Sequence, residues 1–218
     1  MASYYPVFLD LTGRSCVVIG GGHVAETKVR QLLENDCQIT VVSPQVTGSI
    51  QRWVNQNKIT WYEREYQTGD LKTAFLAIAA TNHVSINEGI AKEATKERVL
   101  LNVVDQAPLC GFIAPSVIRK GCVTIAISTG GASPALARKL RELLEDSSIL
   151  DYADLAPLLS KARQEIKALG LQISPERWQK HITAELIPMI HEMAEADVLR
   201  ILLSSLVDED EPQCDLLL

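Results

Sequence analysis

Short apolar runs recur through the first half of the chain. They are "SCVVI" at 15–19, "QITVV" at 38–42, "KITWY" at 58–62, "AFLAIAA" at 74–80 and "LLNVV" at 100–104. Runs of this length, rich in branched residues and without polar alternation, suit strands buried on both faces. Between them the spacing changes to that of helices. Val24, Ala25, Val29, Leu32 and Leu33 fall on one helical face within 24–35. A weaker helix is expected over 46–57, and another over 85–97 with Ser85 as its N-cap. Strand-helix alternation over about 105 residues predicts a parallel sheet with helices on both faces, "AFLAIAA" being central.

The rhythm then breaks. "FIAPSVI", "RKG" and "CVTIAIS" predict two antiparallel strands with Arg119 and Lys120 in the turn. In "TGGASPALARKLRELLED", Ser133 and Pro134 suit the N-cap and first position of a helix. Leu136, Leu140, Leu143 and Leu144 give that helix one apolar stripe. From about Ile149 the pattern is helical, and "SPERWQKHI" repeats the Ser-Pro start.

Composition adds limits. Hydrophobic residues make up 47% and aromatic residues 5%, so the core is aliphatic. The formal charge of −6 falls to −1 without the five acids of the 208–218 tail. A nearly neutral body argues against a nucleic-acid surface, and the tail reads as a solvated end. Five cysteines, none at C-x-x-C spacing, suggest a reduced cytoplasmic protein. Without an apolar run of about 18 residues or a signal-type N-terminus, no membrane partner is expected. Four histidines at no ligand spacing give no metal site.

Candidate chemistry gathers after the strands. Gly20, Gly22 and Ala25 fit G-x-G-x-x-A between a strand and a helix, which points to a dinucleotide's pyrophosphate at a helix N-terminus. The second strand runs into Ser43, Pro44 and Gln45, where a ribose-binding acid is usual. Ser43 is the substitute, and the lack of a nearby arginine favours NAD over NADP. Thr81 and His83 follow the fourth strand, while Val104 and Asp105 follow the fifth, facing the same crevice. Asp105 alone also reads as a loop cap, His23 and His83 as polar loop residues, and Asn102 and Thr81 as structural. "ISTGGASP" places Ser128, Thr129 and Gly130 at an anion-binding bend or a plain helix cap. Arg119, Lys120, Arg138, Lys139 and Arg141 suit an acidic small molecule or solvated surface charge.

Together "YPVFLDLTGRSCVVIGGGHVAETKVRQLL", "LAIAATN", "NVVD", "FIAPSVI" and "ISTGGASPALARKLRELLE" resemble the precorrin-2 dehydrogenase / sirohydrochlorin ferrochelatase family, the N-terminal module of siroheme synthase. The likeness covers about residues 4–146. It implies oxidation of precorrin-2 to sirohydrochlorin with NAD, with Fe2+ insertion as an added activity of some members. It assigns Asp105 to catalysis and His23, Val24, Pro44 and Gln45 to NAD. Gly20, Gly22, Ser43, Thr81 and Val104 complete the expected cofactor cradle. Ser128, Thr129, Gly130, Arg119 and Arg138 are the expected substrate contacts, and burial under the macrocycle would make Asp105 more basic. His23 stands where relatives often carry an acid. The family is dimeric through the hairpin segment and C-terminal helices, so a homodimer is implied. At 218 residues no methyltransferase module is expected, and precorrin-2 would come from elsewhere.

The expected architecture is thus α/β, a Rossmann-type NAD-binding domain at 1–111. A hairpin-and-helix dimerisation and substrate segment follows at 112–146, then a helical domain at 147–207 and an acidic tail at 208–218. The competing reading is an NAD-sensing module without tetrapyrrole chemistry. It lacks an expected basic DNA-binding face here.

Overall fold

A computed structural model describes residues 4–207, so the 208–218 tail lies outside the described residues. The chain forms two compact units. One holds the residues up to Ala114 with Gly130–Ala132, and the other holds Pro115–Thr129 with the residues from Ser133 onward.

The first unit runs β1 (Ser15–Ile19), α1 (His23–Leu33), β2 (Gln38–Val42), α2 (Gly48–Asn55), β3 (Thr60–Tyr62), β4 (Leu76–Ala79), α3 (Val84–Glu97) and β5 (Leu100–Val103). All neighbouring strands pair in parallel, in the order β3-β2-β1-β4-β5. The middle strand is β1, with Val18 opposite Val41 on one side and Ile78 on the other. The all-apolar β4 is interior, next to it.

Period two then assigns the two faces. Cys16 and Val18 pack with Ala25, Val29 and Leu32 of α1 and Ile50 of α2. Val17 and Ile19 pack with Ile90 and Ala94 of α3. A fully buried Val, Leu or Ile contributes about 1.5–3 kcal/mol, so packing on both faces holds the sheet between helices.

Local chemistry trims the expected boundaries. The helix expected over 46–57 is α2, started by Thr47, whose hydroxyl accepts from the Ile50 N–H at 3.4 Å. Ser85 is not the cap of α3. His83 holds the cap position, and the Thr81 hydroxyl closes the turn earlier by accepting from His83 N at 3.3 Å and donating to Asn87 Oδ1 at 2.9 Å. The crossover between β3 and β4 is pinned by Glu93 of α3. Its carboxylate, only 6% exposed, accepts from Gly69 N at 3.0 Å, Leu71 N at 2.9 Å and the Tyr66 hydroxyl.

The second unit begins with an antiparallel hairpin, β6 (Ser116–Lys120) and β7 (Val123–Ile127). Its tip is Gly121–Cys122, with Gly121 at φ +58°, a left-handed conformation that glycine adopts without a Cβ penalty. Arg119 and Lys120 therefore lie in β6 and not in the turn. Pro115, with no N–H for the ladder, precedes the start of β6, so only the latter part of "FIAPSVI" is strand. The helices are α4 (Pro134–Glu145), α5 (Ala156–Ala168), α6 (Pro175–His181), α7 (Leu186–Glu192) and α8 (Glu195–Val207), with 3-10 turns over Ser148–Leu155. Leu155, Leu158, Ala162, Ile166, Val198, Leu202 and Leu206 form its core. Lys120 pairs with Asp151 and Asp154 of the 3-10 turns at 3.1 and 2.8 Å. The hairpin and α4 lie in the same compact unit as the later helices. The α4 stripe is not core: Leu136, Leu140 and Leu143 are all exposed.

Candidate dinucleotide site and its neighbouring carboxylate

In a parallel sheet all carboxyl ends lie together, and here the strand order reverses between β1 and β4. The chain leaving each strand is tied down by one more ladder bond. Gly20 N donates to Val42 O at 2.9 Å, Ala80 N to Ile19 O at 2.8 Å and Val104 N to Ala79 O at 2.9 Å. This fixes Gly20–Gly22, Ser43–Gln45, Thr81 and Asp105 along one rim.

Each glycine of the turn has its own reason. Gly20 has φ +116°, and a Cβ there would stand 2.4 Å from Ala80 O. At Gly21 a Cβ would stand 1.9 Å from Gln45 O and 2.8 Å from Ser43 Oγ, so the turn packs directly on the loop after β2. Gly22 is different, because nothing lies within 4 Å of its Cβ position. That open side faces the start of α1, which no side chain caps. Uncapped N–H groups and the positive helix end form a seat for phosphate. Ala25 is fully buried, as close helix-strand packing requires. These residues fit a dinucleotide: Gly20 to Val24 would hold its pyrophosphate.

The remaining expected contacts divide. The His23 side chain is 95% exposed beside this turn, 3.9 Å from Glu26, and Val24 is exposed next to it. Pro44 and Gln45 are exposed at the rim. Ser43 is buried, and its hydroxyl donates to Gln45 O at 2.7 Å, so its one proton is used inside the loop. The Thr81 hydroxyl donates to Asn87.

Asp105 sits in a turn closed by Gln106 N donating to Val103 O at 3.2 Å, with φ +59°. Aspartate tolerates this left-handed conformation better than most residues. Asp105 is exposed at the rim. The turn is braced from behind. Cys110 Sγ donates to Val103 O at 3.2 Å and accepts from Val103 N at the same distance. Asn102 Nδ2 donates to Phe112 O at 3.0 Å.

Three positions were missed by sequence reasoning. Gly21 was hidden by the two-glycine motif, although three consecutive glycines signal it. Lys28 lies three residues after Ala25 and is half-buried on α1; burial pushes its ammonium below the ordinary lysine range, and the charge of Asp105 acts in the opposite sense. Cys110 carried no readable signal.

In the second unit, Thr129 is spent locally. Its hydroxyl donates to Ser133 O and accepts from Ser133 N, both at 3.0 Å. The Ser133 hydroxyl caps α4 by accepting from Leu136 N at 3.2 Å. Ser128 and Arg119 are exposed, and Arg138 pairs with Glu142 at 3.1 Å. Lys120 is held by its two aspartates, and Arg141 by Glu145 at 2.7 Å. Among the described residues no group of three His, Cys, Asp or Glu could hold a metal. Nor is any helix long and apolar enough to cross a membrane.

The doubly wound sheet and its glycine turn define a dinucleotide-binding protein. Residues 7–116, half of the chain, match the putative NAD(P)-binding family, and the chain belongs to that family. Residues 121–147 match the family described as sirohaem biosynthesis protein central. Its relatives include the siroheme synthase of Actinobacillus pleuropneumoniae serotype 7 (strain AP76), 34% identical over 96% of this chain and 44% of that protein. The siroheme synthase of Nitrosococcus oceani is 37% identical over 81% of this chain and 38% of that protein. The chain thus spans less than half the length of these curated relatives. Among solved structures, SirC, a precorrin-2 dehydrogenase, is similar with a TM-score of 0.74 and 26% identity, over 91% of this chain and 98% of that one.

Proposed function

We propose that this protein oxidises precorrin-2 to sirohydrochlorin with NAD, as a homodimer. The observation that carries the reading is Asp105 on the same rim as the open Gly22 turn, in a chain similar to SirC over nearly its whole length. NAD held at the glycine turn would supply the hydride acceptor for oxidation of the macrocycle. The chain's own part is to take the proton released with it, and the Asp105 carboxylate is the base. The absence of an arginine near Ser43–Gln45 supports NAD over NADP. His23, Val24, Pro44, Gln45, Thr81 and Val104 complete the cofactor contacts in this reading. Exposed Arg119 and Arg138, with Ser128, Thr129 and Gly130, meet the substrate's carboxylates.

Purified protein given precorrin-2 and NAD is expected to produce the sirohydrochlorin spectrum; no conversion by folded protein overturns the reading. Asp105→Asn is expected to keep NAD affinity and lose turnover by about a hundredfold or more. Full activity in that variant would remove Asp105 from the role of base.

A second reading adds Fe2+ insertion; the curated relatives are named siroheme synthases. The macrocycle's own nitrogens would ligate the iron, so the protein needs no ligand cluster. Sirohydrochlorin and Fe2+ without NAD, compared with the uncatalysed rate, tests it separately.

A further inference from the structure

β5 is an outer strand of its sheet, with β4 on one side only. Leu100 N and Val104 N donate inward, to Phe75 O at 3.2 Å and Ala79 O at 2.9 Å. Alternation of the backbone groups therefore turns those of Leu101 and Val103 outward, to the strand's open edge. The loop that follows covers this edge. Gly111 N and Phe112 N donate to Leu101 O at 2.7 and 3.4 Å. At Val103 a side chain takes the part: the half-buried Cys110 thiol accepts from Val103 N and donates to Val103 O, both at 3.2 Å. The same sulfur lies 3.5 Å from Gln106 O and 3.6 Å from Asn102 Nδ2. Asn102 Nδ2 also donates to Phe112 O at 3.0 Å, which ties down the far end of the loop.

Val103 and Gln106 are the first and last residues of the turn that carries Asp105. Asp105 is its third residue, at φ +59°, a position that glycine usually fills. A non-glycine residue stays in so sparsely populated a region only where its surroundings over-determine it. The thiol supplies that constraint, because it bonds to the turn at both ends while Asp105 itself is exposed. A thiol can do this because it is donor and acceptor at once.

We propose that Cys110 is a positioning residue for Asp105: its thiol closes the open edge of β5 in place of a neighbouring strand and so fixes where the carboxylate stands on the rim. This rests on the reading of Asp105 as the base.

The test compares Cys110→Val, Cys110→Ser and the Cys110→Val/Asp105→Asn double variant of the full chain, each assayed well below its unfolding temperature. Valine fills the space without bonding, whereas serine restores a donor and an acceptor. Cys110→Val is expected to lower kcat about ten- to hundredfold, with the NAD Kd and the precorrin-2 KM within about twofold of wild type. Cys110→Ser is expected to recover most of the loss. The double variant should be no slower than Asp105→Asn alone, since the thiol acts only through that carboxylate. An unchanged kcat in Cys110→Val, an equal loss in Cys110→Ser, or losses that multiply in the double variant would overturn the proposal. A readout independent of turnover separates this failure from that of the assigned reaction. The Val103 N–H is expected to exchange with solvent at least about tenfold faster in Cys110→Val than in wild type, with the Val104 N–H, bonded to Ala79 O, as the unmoved reference. Unmoved exchange at Val103 overturns the proposal even if wild-type protein oxidises precorrin-2. Faster exchange in protein that leaves precorrin-2 unoxidised keeps the thiol clamp and rejects the reaction.

Discussion

Two adjacent glycines show how differently one motif uses its residues. Gly21 is required by packing, since a Cβ would overlap Gln45 O at 1.9 Å. Gly22 is not required by anything in the chain, and its φ of −79° suits any residue. Gly21→Ala is therefore expected to destabilise the fold by about 1–3 kcal/mol, the usual cost of forcing atoms into a packed site. Gly22→Ala is expected to unfold at the wild-type temperature and yet bind NAD at least about tenfold more weakly, because its open side is where the phosphate approaches. Thermal unfolding and NAD titration of both variants check the pair. Equal behaviour of the two would sink the distinction. The G-x-G-x-x-A pattern was legible because backbone approach needs small residues at set spacings. The three consecutive glycines mark Gly21 but not its reason, because its contact is to a loop over twenty residues away. The Ser43 hydroxyl bonds within its own loop, to Gln45 O at 2.7 Å.

Among elements, the crossover between β3 and β4 has no helix and depends on polar clasps. Asp70 is nearly buried and takes a bidentate pair of bonds from Arg64 at 2.7 and 2.9 Å, plus Gln67 N at 2.9 Å. Burial works to raise its pKa, but these bonds win and hold the carboxyl below the ordinary aspartate value of 3.8. A folded pKa below the unfolded one gives stability that is complete above the unfolded value and is lost as pH falls through the folded one. Asp70→Asn is expected to be less stable than wild type at pH 7. The gap should close as pH drops below about 4, read as urea midpoints across that range. A constant gap would show that charge plays no part. Element type was largely legible here, because strands buried on both faces have few sequence alternatives. Ends were not: α3 begins at Val84 because Thr81 and Asn87 close the turn first.

At the scale of the molecule, the α4 stripe poses the open account. Its pattern reads as core, yet Leu136 is 50% and Leu143 55% exposed. Helical periodicity reports that a face is apolar and cannot report what covers it. A second copy is the cover that the proposed homodimer supplies. Sedimentation is expected to give about twice the single-chain mass, and Leu140→Asp to shift it to the monomer while helicity is retained. A monomeric wild-type protein would leave the stripe to another partner.

By itself the sequence determined the alternation of strand and helix, the glycine turn and the candidate aspartate. Each of these is local: a period, a required small residue, or a polar side chain directly after a strand. The tertiary structure decided what needs distant parts of the chain to meet. It set β1 at the centre, pressed Gly21 on Gln45, and spent Lys120 on Asp151 and Asp154. Packing and electrostatic fields depend on distance in space, which spacing along a chain does not encode.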